Sequence, residues 1–501
     1  MNAYRYIAGA LCGSLCQFAA AAVPVLSNVA VSQDADTRRV TVTYTLDNAP
    51  AIVTADILTN AVSIGGGAYR NLSGDVNKVL SGNGPHSFSW DPVVDWPGHE
   101  LTGLSVTLTP WTTNAPPPYM VVALKPYAGA SAYDIAYYPS VESLPWGGVT
   151  NSAARERFLV LKRVNAANAT FQMGCVSGDP GRNNSSGSGS NDGPERIHNV
   201  TLANDFYLGV FEVTFGQWSL ITGSQNPGGQ FTPCVSDKAG RPREKVSYCH
   251  IRECDSSLAT AVSTAANLYP NPPHAASFLG KLRARTGNLP FDLPGEAQWE
   301  YACRGGHYER ATWGDGSSRS TGVNRDANLC ELARYKQNDG YLNGTTEPAT
   351  GAGATNGTAI VGSYKPNSYG LYDMHGNVFE FCLDWWADDI TGLNGAVNAN
   401  GANLADGETA GTYRVIRGGS WAGTPQPCLA SSRSTGSTSP VTFNKMWGFR
   451  VALQLPAPDA AAAPAAVTAT LAALDSRVMA EWELAFPDFS TYEVGTIIVI
   501  R

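Results

Sequence analysis

In the stretch 366–386, PNSYGLYDMHGNVFEFCLDWW, two carboxylates flank a turn glycine as Asp373-x-x-Gly376-x-Val378-x-Glu380. A hard cation such as calcium wants several oxygen ligands, and carboxylates this close in a turn, interleaved with backbone carbonyls, can supply them without long-range assembly. The same residues also suit a second role, as buried structural carboxylates bonded to loop amides. His375 lies inside the turn, where a loop histidine held by hydrogen bonds is a simpler reading than a catalytic base. Asp384-Trp385-Trp386 places an acid beside two indoles, an arrangement that binds sugar or peptide when exposed and forms a small core when buried.

No independent catalytic set accompanies this turn. The seven histidines are scattered, and neither CxxC nor HExxH spacing occurs, so Cys249-His250 with Cys254 is a poor imitation of a zinc site. The GSGS within the Gly/Ser/Asn loop Asn183 to Gly193 has no strand leading into it and no helix after it, so it is not a nucleophile elbow. Setting Cys12 and Cys16 aside, the ten cysteines leave Cys175, Cys234, Cys249, Cys254, Cys303, Cys330, Cys382 and Cys428. An even set in an exported chain favours disulfides, although eight cysteines permit 105 pairings and spacing cannot choose among them. A net charge of -8 without a lysine or arginine cluster excludes nucleic acid as a partner.

The elements that must position these residues follow from patterning. Residues 1–22 read as a secretory signal, with Arg5 as the positive n-region, Ile7 to Ala22 apolar and small, and Ala20-Ala21-Ala22 as the cleavage site. No other long apolar run follows, so the expected mature protein is exported (periplasmic, cell-surface or secreted) and has no membrane span. Residues 23–115 alternate with period two, as in Val40-x-Val42-x-Tyr44-x-Leu46, Phe88-x-Trp90 and Leu104-x-Val106-x-Leu108, which predicts a small all-β sandwich of immunoglobulin or fibronectin type. Residues 116–156 open on Pro116-Pro117-Pro118 and read as a linker and connector with one strand-like run, Met120 to Leu124. Thr214-Phe215-Gly216-Gln217 is a capping box that starts a short helix bearing Trp218 and Ile221. Helices are also expected over Ala276 to Thr286, stopped by Gly287, and over Glu296 to Cys303, stopped by Gly305-Gly306. Residues 456–501 read as an Ala/Pro linker and a partial β segment, with strand-like runs Val478 to Trp482 and Ile497 to Ile500. Too short for a sandwich that folds alone, that segment either completes another domain's sheet or belongs to a larger unit.

Three further islands share the character of the 366–386 stretch: Tyr207 to Thr214 (YLGVFEVT), Leu293 to Gly306 (LPGEAQWEYACRGG), and Arg417-Gly418-Gly419-Ser420-Trp421 followed by Gly448 to Ala452 (GFRVA). In this order the four resemble the formylglycine-generating enzyme, or sulfatase-modifying factor, family over about residues 157–455. The resemblance implies an α+β, loop-rich, elaborated C-type-lectin-like domain. It also implies calcium, with Asp373, the Gly376 and Val378 carbonyls and Glu380 at one site, and Asn328, the Leu329 carbonyl, Asp339 and the Tyr341 carbonyl at a second, looser one. Active members of the family bind copper(I) through two cysteines five residues apart after the Gly-Gly-Ser-aromatic motif, and oxidise a client-protein cysteine to formylglycine. Here the motif ends at Ser420-Trp421 and Cys428 occupies the second position, but the first is Gly423 and Pro425 and Pro427 intervene. Copper is therefore doubtful, and a catalytic role for Cys428 and Ser420 requires that activity survive the loss of one thiolate. The reading taken is a calcium-stabilised module that binds a protein or glycan ligand, with an oxidase acting on a cysteine-containing client as the alternative. Without its copper partner, Cys428 is expected to pair with Cys382.

Overall fold

The computed structural model describes residues 22–124, 133–175, 196–223, 237–257, 268–308, 312–320, 325–338, 341–342, 345–346, 357–387, 396–398, 413–437, 439, 442–457 and 464–477. Residues 1–21 of the expected signal 1–22, the whole Asn183 to Gly193 loop, Cys234, Asp339 and the strand-like runs after residue 477 lie outside the described residues.

The period-two pattern at the start of the chain becomes two antiparallel sheets. One has the strand order Val25–Gln33, Val40–Asp47, Gly84–Trp90, Ser73–Gly74, and the other Val467–Asp475, Glu100–Thr112, Ala51–Thr59, Val62–Ser63, with Lys78–Leu80 also pairing on Ala51–Thr59. Val40, Val42, Tyr44, Leu46, Phe88, Trp90, Leu104, Val106 and Leu108 all bury their side chains in one shared core. Alternation thus sends every second residue to the space between the sheets.

The C-terminal segment finishes this unit. Val467–Asp475 pairs antiparallel with Glu100–Thr112 and contributes Leu471 and Leu474 to the core. Gln33 ties the end down, its side chain bonding both the N–H and the carbonyl of Asp475. A strand that cannot fold alone gains here a ready-made edge and an apolar face.

Residues 116–156, expected as a connector, instead give two strands to the main sheet of the second half. That sheet runs Asp134–Tyr138, Tyr119–Ala123, Phe158–Val164, Phe206–Gly209, Ala452–Gln454, Phe291–Asp292, antiparallel throughout. Met120 and Val122 bury into one core and Tyr119 and Val121 into another. A strand covered on both faces reads as a continuous apolar run, as Met120 to Leu124 does, without the alternation that marks one buried face. A second sheet, Ser434–Ser437, Tyr413–Arg417, Phe379–Trp385, Trp447–Gly448, carries the motif region. With short helices under long loops, this half is sheet-rich and mixed in class, consistent with the architecture expected from the resemblance.

The helices start and stop for local reasons. Phe215–Thr222 is capped by Thr214, whose Oγ1 accepts from Gln217 N at 3.2 Å while Gln217 Oε1 accepts from Thr214 N at 2.9 Å, and it ends at left-handed Gly223. Phe278–Arg285 begins two residues later than expected, after the cap Ser277. Glu296–Arg304 has no capping side chain at Gly295, and Asp384 supplies the cap from another strand, accepting from Glu296 N at 2.6 Å. A carboxylate at a helix N-terminus also suits the dipole. Asp384→Ala is therefore expected to cost about 1–2 kcal/mol, the usual loss of an N-cap, read as a lower midpoint in urea unfolding with an unchanged slope. A midpoint equal to the parent protein's would show that the cap carries no stability.

Candidate functional site

The turn that opens the strand Phe379–Trp385 is the hub of the second half. Asp373 (φ 58°) and Asn377 (φ 63°) take left-handed backbone, which Asp and Asn tolerate because their short side chains bond locally. Gly376 passes so close to the Arg334 carbonyl that a Cβ would lie 2.4 Å from its oxygen, so only glycine fits there. Asn377 Oδ1 accepts from Ala359 N at 2.9 Å and the Asn377 carbonyl accepts from Trp421 N at 2.8 Å, which joins this turn to the Gly-Gly-Ser-Trp motif.

Three carboxylates converge behind the turn, all buried: Glu212, Asp373 and Glu380. Arg450, from the Gly-Phe-Arg motif, faces Glu380 with two parallel bonds, Nε to Oε2 at 2.6 Å and Nη2 to Oε1 at 2.5 Å. Trp299 Nε1 adds a third bond to Glu380 Oε2 at 2.7 Å. Arg450 also donates to the carbonyls of Gly209 at 2.8 Å and Tyr372 at 2.9 Å. Glu212 accepts from Asn377 Nδ2 at 2.7 Å and Val378 N at 3.0 Å. Asp373 Oδ2 accepts from Gly362 N at 2.7 Å, while its Oδ1 is buried without a hydrogen-bond partner. Burial pushes the Asp373 carboxyl up to about 6, and burial with the neighbouring Asp373 and Glu380 charges pushes Glu212 well above the usual carboxylate range.

These donors do not fit a calcium ion. Glu380 gives both oxygens to Arg450 and Trp299, and Asp373 offers a single open oxygen. Among the described residues no group of three His, Cys, Asp or Glu is placed to hold a metal. The expected set Asp373, Gly376, Val378 and Glu380 is thus brought together as a turn, but its charge is balanced by an arginine. For the second set, Asn328 and Leu329 lie on the helix Ala327–Leu332, where Asn328 Nδ2 donates to Ser318 O at 2.7 Å. Tyr341 lies in the short strand Tyr341–Leu342, and Asp339 is outside the described residues.

The thiol motif is sealed. Gly418 and Gly419 are left-handed (φ 93° and 76°), and Gly419 sits against Cys428 so tightly that a Cβ would meet Sγ at 2.7 Å. Cys428 ends the turn Gln426–Cys428 and is fully buried among Trp313, Leu329, Cys330, Leu332, Tyr335 and Leu429. Burial pushes its thiol up, so it stays protonated at neutral pH. Ser420 is also buried, its hydroxyl unpartnered. At Gly423 an added Cβ would have Ser420 O as its nearest neighbour at 3.4 Å, an ordinary contact, so a side chain there has room. With one sulfur at the motif, the residues do not fit a two-thiolate copper(I) site.

His375 is structural. Its Nε2 accepts from Gly314 N at 3.0 Å and its Nδ1 donates to Cys428 O at 2.9 Å, and burial lowers its pKa to about 4. The expected Cys382–Cys428 disulfide is not formed. Cys382, on the strand Phe379–Trp385, packs in a core with Ala297, Met374 and Val415, whereas Cys428 belongs to a separate apolar cluster. The disulfide among the described residues is Cys249–Cys254, across one short turn. Asp384-Trp385-Trp386 is occupied too, since Arg414 stacks on Trp385 and Arg433 on Trp386. Sequence reasoning missed Glu212, inside YLGVFEVT, and Arg450, inside GFRVA. The signal that could have found them is a charged residue inside an otherwise apolar motif, which must pair when buried.

A family model for the sulfatase-modifying factor enzyme 1-like domain matches residues 164–455, more than half of the chain. The chain belongs to the sulfatase-modifying factor family. Among its relatives, the chaperone protein LppX of Paenibacillus barcinonensis is 29% identical over 238 residues, covering 44% of this chain and 71% of that protein. The formylglycine-generating enzyme of Thermomonospora curvata is 36% identical over 131 residues, covering 26% of this chain and 38% of the enzyme, so the match spans well under half of that relative. Among solved structures, Treponema denticola variable protein 1 is 27% identical, with 60% of this chain and 96% of that one covered and a TM-score of 0.38. The family motifs are the residues that build the carboxylate hub and the sealed thiol turn described above.

Proposed function

We propose that this sulfatase-modifying factor domain is a binding module for a protein ligand, exported and displayed by its N-terminal β unit, and that it does not generate formylglycine. The single observation that carries the reading is the make-up of the thiol motif: Cys428 is fully buried, and Gly423 brings no second sulfur. A nucleophilic or metal-binding thiol works as the thiolate, and burial of Cys428 away from solvent supports the binding reading. Similarity to LppX, a protein named as a chaperone, supports a partner that is itself a protein. The fold that goes with this reading is an elaborated C-type-lectin-like domain preceded by an immunoglobulin- or fibronectin-like sandwich. Among the described residues no helix is long and apolar enough to cross a membrane.

A second reading, an active oxidase, is favoured by 36% identity to a formylglycine-generating enzyme. Mass spectrometry of a cysteine-containing sulfatase peptide, incubated with the full chain, copper, reductant and oxygen, separates the two. The expected result is an unmodified peptide and weak copper(I) binding that strengthens in Gly423→Cys. Formylglycine formed by the parent protein and lost in Cys428→Ser would make the oxidase reading correct.

A further inference from the structure

The strand Val467–Asp475 closes a sheet whose other strands all lie more than 350 residues earlier in the chain. Eight residue pairs join it to Glu100–Thr112, from Val467 opposite Leu108 to Asp475 opposite Glu100. Leu471 and Leu474 enter the same core as Leu104, Val106 and Leu108, while Thr468, Thr470 and Ala472 are exposed. The end of the strand is clamped. Ser476 N donates to His99 O at 2.8 Å, Ser476 Oγ accepts from His99 N at 2.9 Å, and Gly98 N donates to Ser476 O at 3.0 Å.

Take that strand away and the Glu100–Thr112 edge is a row of unpaired backbone N–H and C=O groups beside an apolar core, an arrangement that templates pairing with another chain. Natural edges are commonly guarded by lysine, proline or an inward charge. Leu101 to Leu108 (LTGLSVTL) carries none of these, and Val467 to Leu474 (VTATLAAL) is likewise uncharged. Nothing in either stretch therefore distinguishes a chain's own strand from that of another copy. Synthesis keeps the two apart, since at about 5–20 residues per second the edge waits on the order of tens of seconds for its strand. The segment 456–466 that tethers the strand reads PAPDAAAAPAA and reaches at most about 40 Å, which lets the strand be delivered to a neighbour while Ala452–Gln454 stays in its own sheet.

We propose that the Glu100–Thr112 edge is an interaction surface for a second copy of this chain, which donates its Val467–Asp475 strand reciprocally to give a strand-exchanged dimer. The exchanged strand makes the same pairs and buries the same leucines as the strand donated within one chain, so the balance between monomer and dimer is set by concentration. A tethered strand competes at an effective concentration in the millimolar range, and the dimer share grows as protein approaches it. Two chains exchanging identical elements form a closed pair with two-fold symmetry, which stops at two copies.

The test uses full-length variants Thr107→Cys and Thr468→Cys. Thr107 and Thr468 are register partners at the surface with Oγ1 atoms 2.9 Å apart, so cysteines there face one another. The two variants are refolded together, oxidised with glutathione disulfide and separated without reductant. A covalent dimer containing one chain of each is expected, rising with protein concentration and absent when either variant is refolded alone. The double variant Thr107→Cys/Thr468→Cys, refolded dilute, is expected to close the bond within one chain. Light scattering of the parent protein is expected to show the mass of two chains as its concentration approaches the millimolar range. Two results would each overturn the proposal: no mixed covalent dimer where the double variant does close its own bond, or a parent protein that keeps the mass of one chain throughout.

Discussion

Asp373→Asn is expected to raise the stability of this protein at neutral pH, by an amount on the order of 1–3 kcal/mol. Asp373 is fully buried, one of its oxygens has no partner, and it shares its surroundings with Glu212 and Glu380. Arg450 is committed to Glu380, and the half-buried Arg155 is the other cation acting on Asp373. Burial lifts the carboxyl from its ordinary 3.8 to about 6. A carboxyl raised on folding binds its proton more tightly in the native state, so the stability associated with that proton is present below the unfolded pKa and lost as pH rises through the folded one. The cost of the charged form therefore appears between about pH 4 and pH 6 and is constant above. Asparagine keeps the acceptor for Gly362 N and tolerates the left-handed backbone, but carries no charge. Melting curves across pH 4 to 8 should show the advantage of the variant growing through that window and then levelling off. A divalent cation on the same carboxylate would invert the sign: the variant would be the less stable protein, and chelator would lower the melting temperature of the parent.

Arg450→Met is expected to give the largest loss, about 3–5 kcal/mol, the usual result of removing one partner from a buried ion pair. The guanidinium holds Glu380 through two bonds, ties the strand end at Gly209 to the Tyr372 carbonyl, and offsets the charge of Glu212 and Asp373. Deleting it leaves three buried carboxylates without their central cation. Adding Glu380→Leu to Arg450→Met should recover part of the loss, because an apolar pair of similar volume avoids the unpaired charge. Urea unfolding of the parent, both single variants and the double variant forms a cycle whose coupling term measures the pair. A single Arg450→Met variant as stable as the parent would remove the hub from its structural role.

The sequence alone determined what repeats locally. Val40, Val42, Tyr44 and Leu46 announce a half-buried strand because side-chain direction alternates with each residue. Thr214 and Gln217 announce a helix start because the capping box closes within four residues. The four motif islands, in series, identified the family domain, since each carries its own spacing. What only the tertiary structure decided depends on residues far apart in the chain. The run Met120 to Leu124 was legible as strand-like, but its place in the main sheet, between Asp134–Tyr138 and Phe158–Val164, rests on pairings its own residues do not specify. Val467–Asp475 found its partner more than 350 residues away, at an edge that its own sequence cannot specify. Asp384 replaced the cap that Gly295 lacks, and Arg450 took the carboxylate that the turn spacing had assigned to calcium. Ligand spacing in a turn states which oxygens are near one another, but burial and the arrival of a distant guanidinium decide which cation they meet.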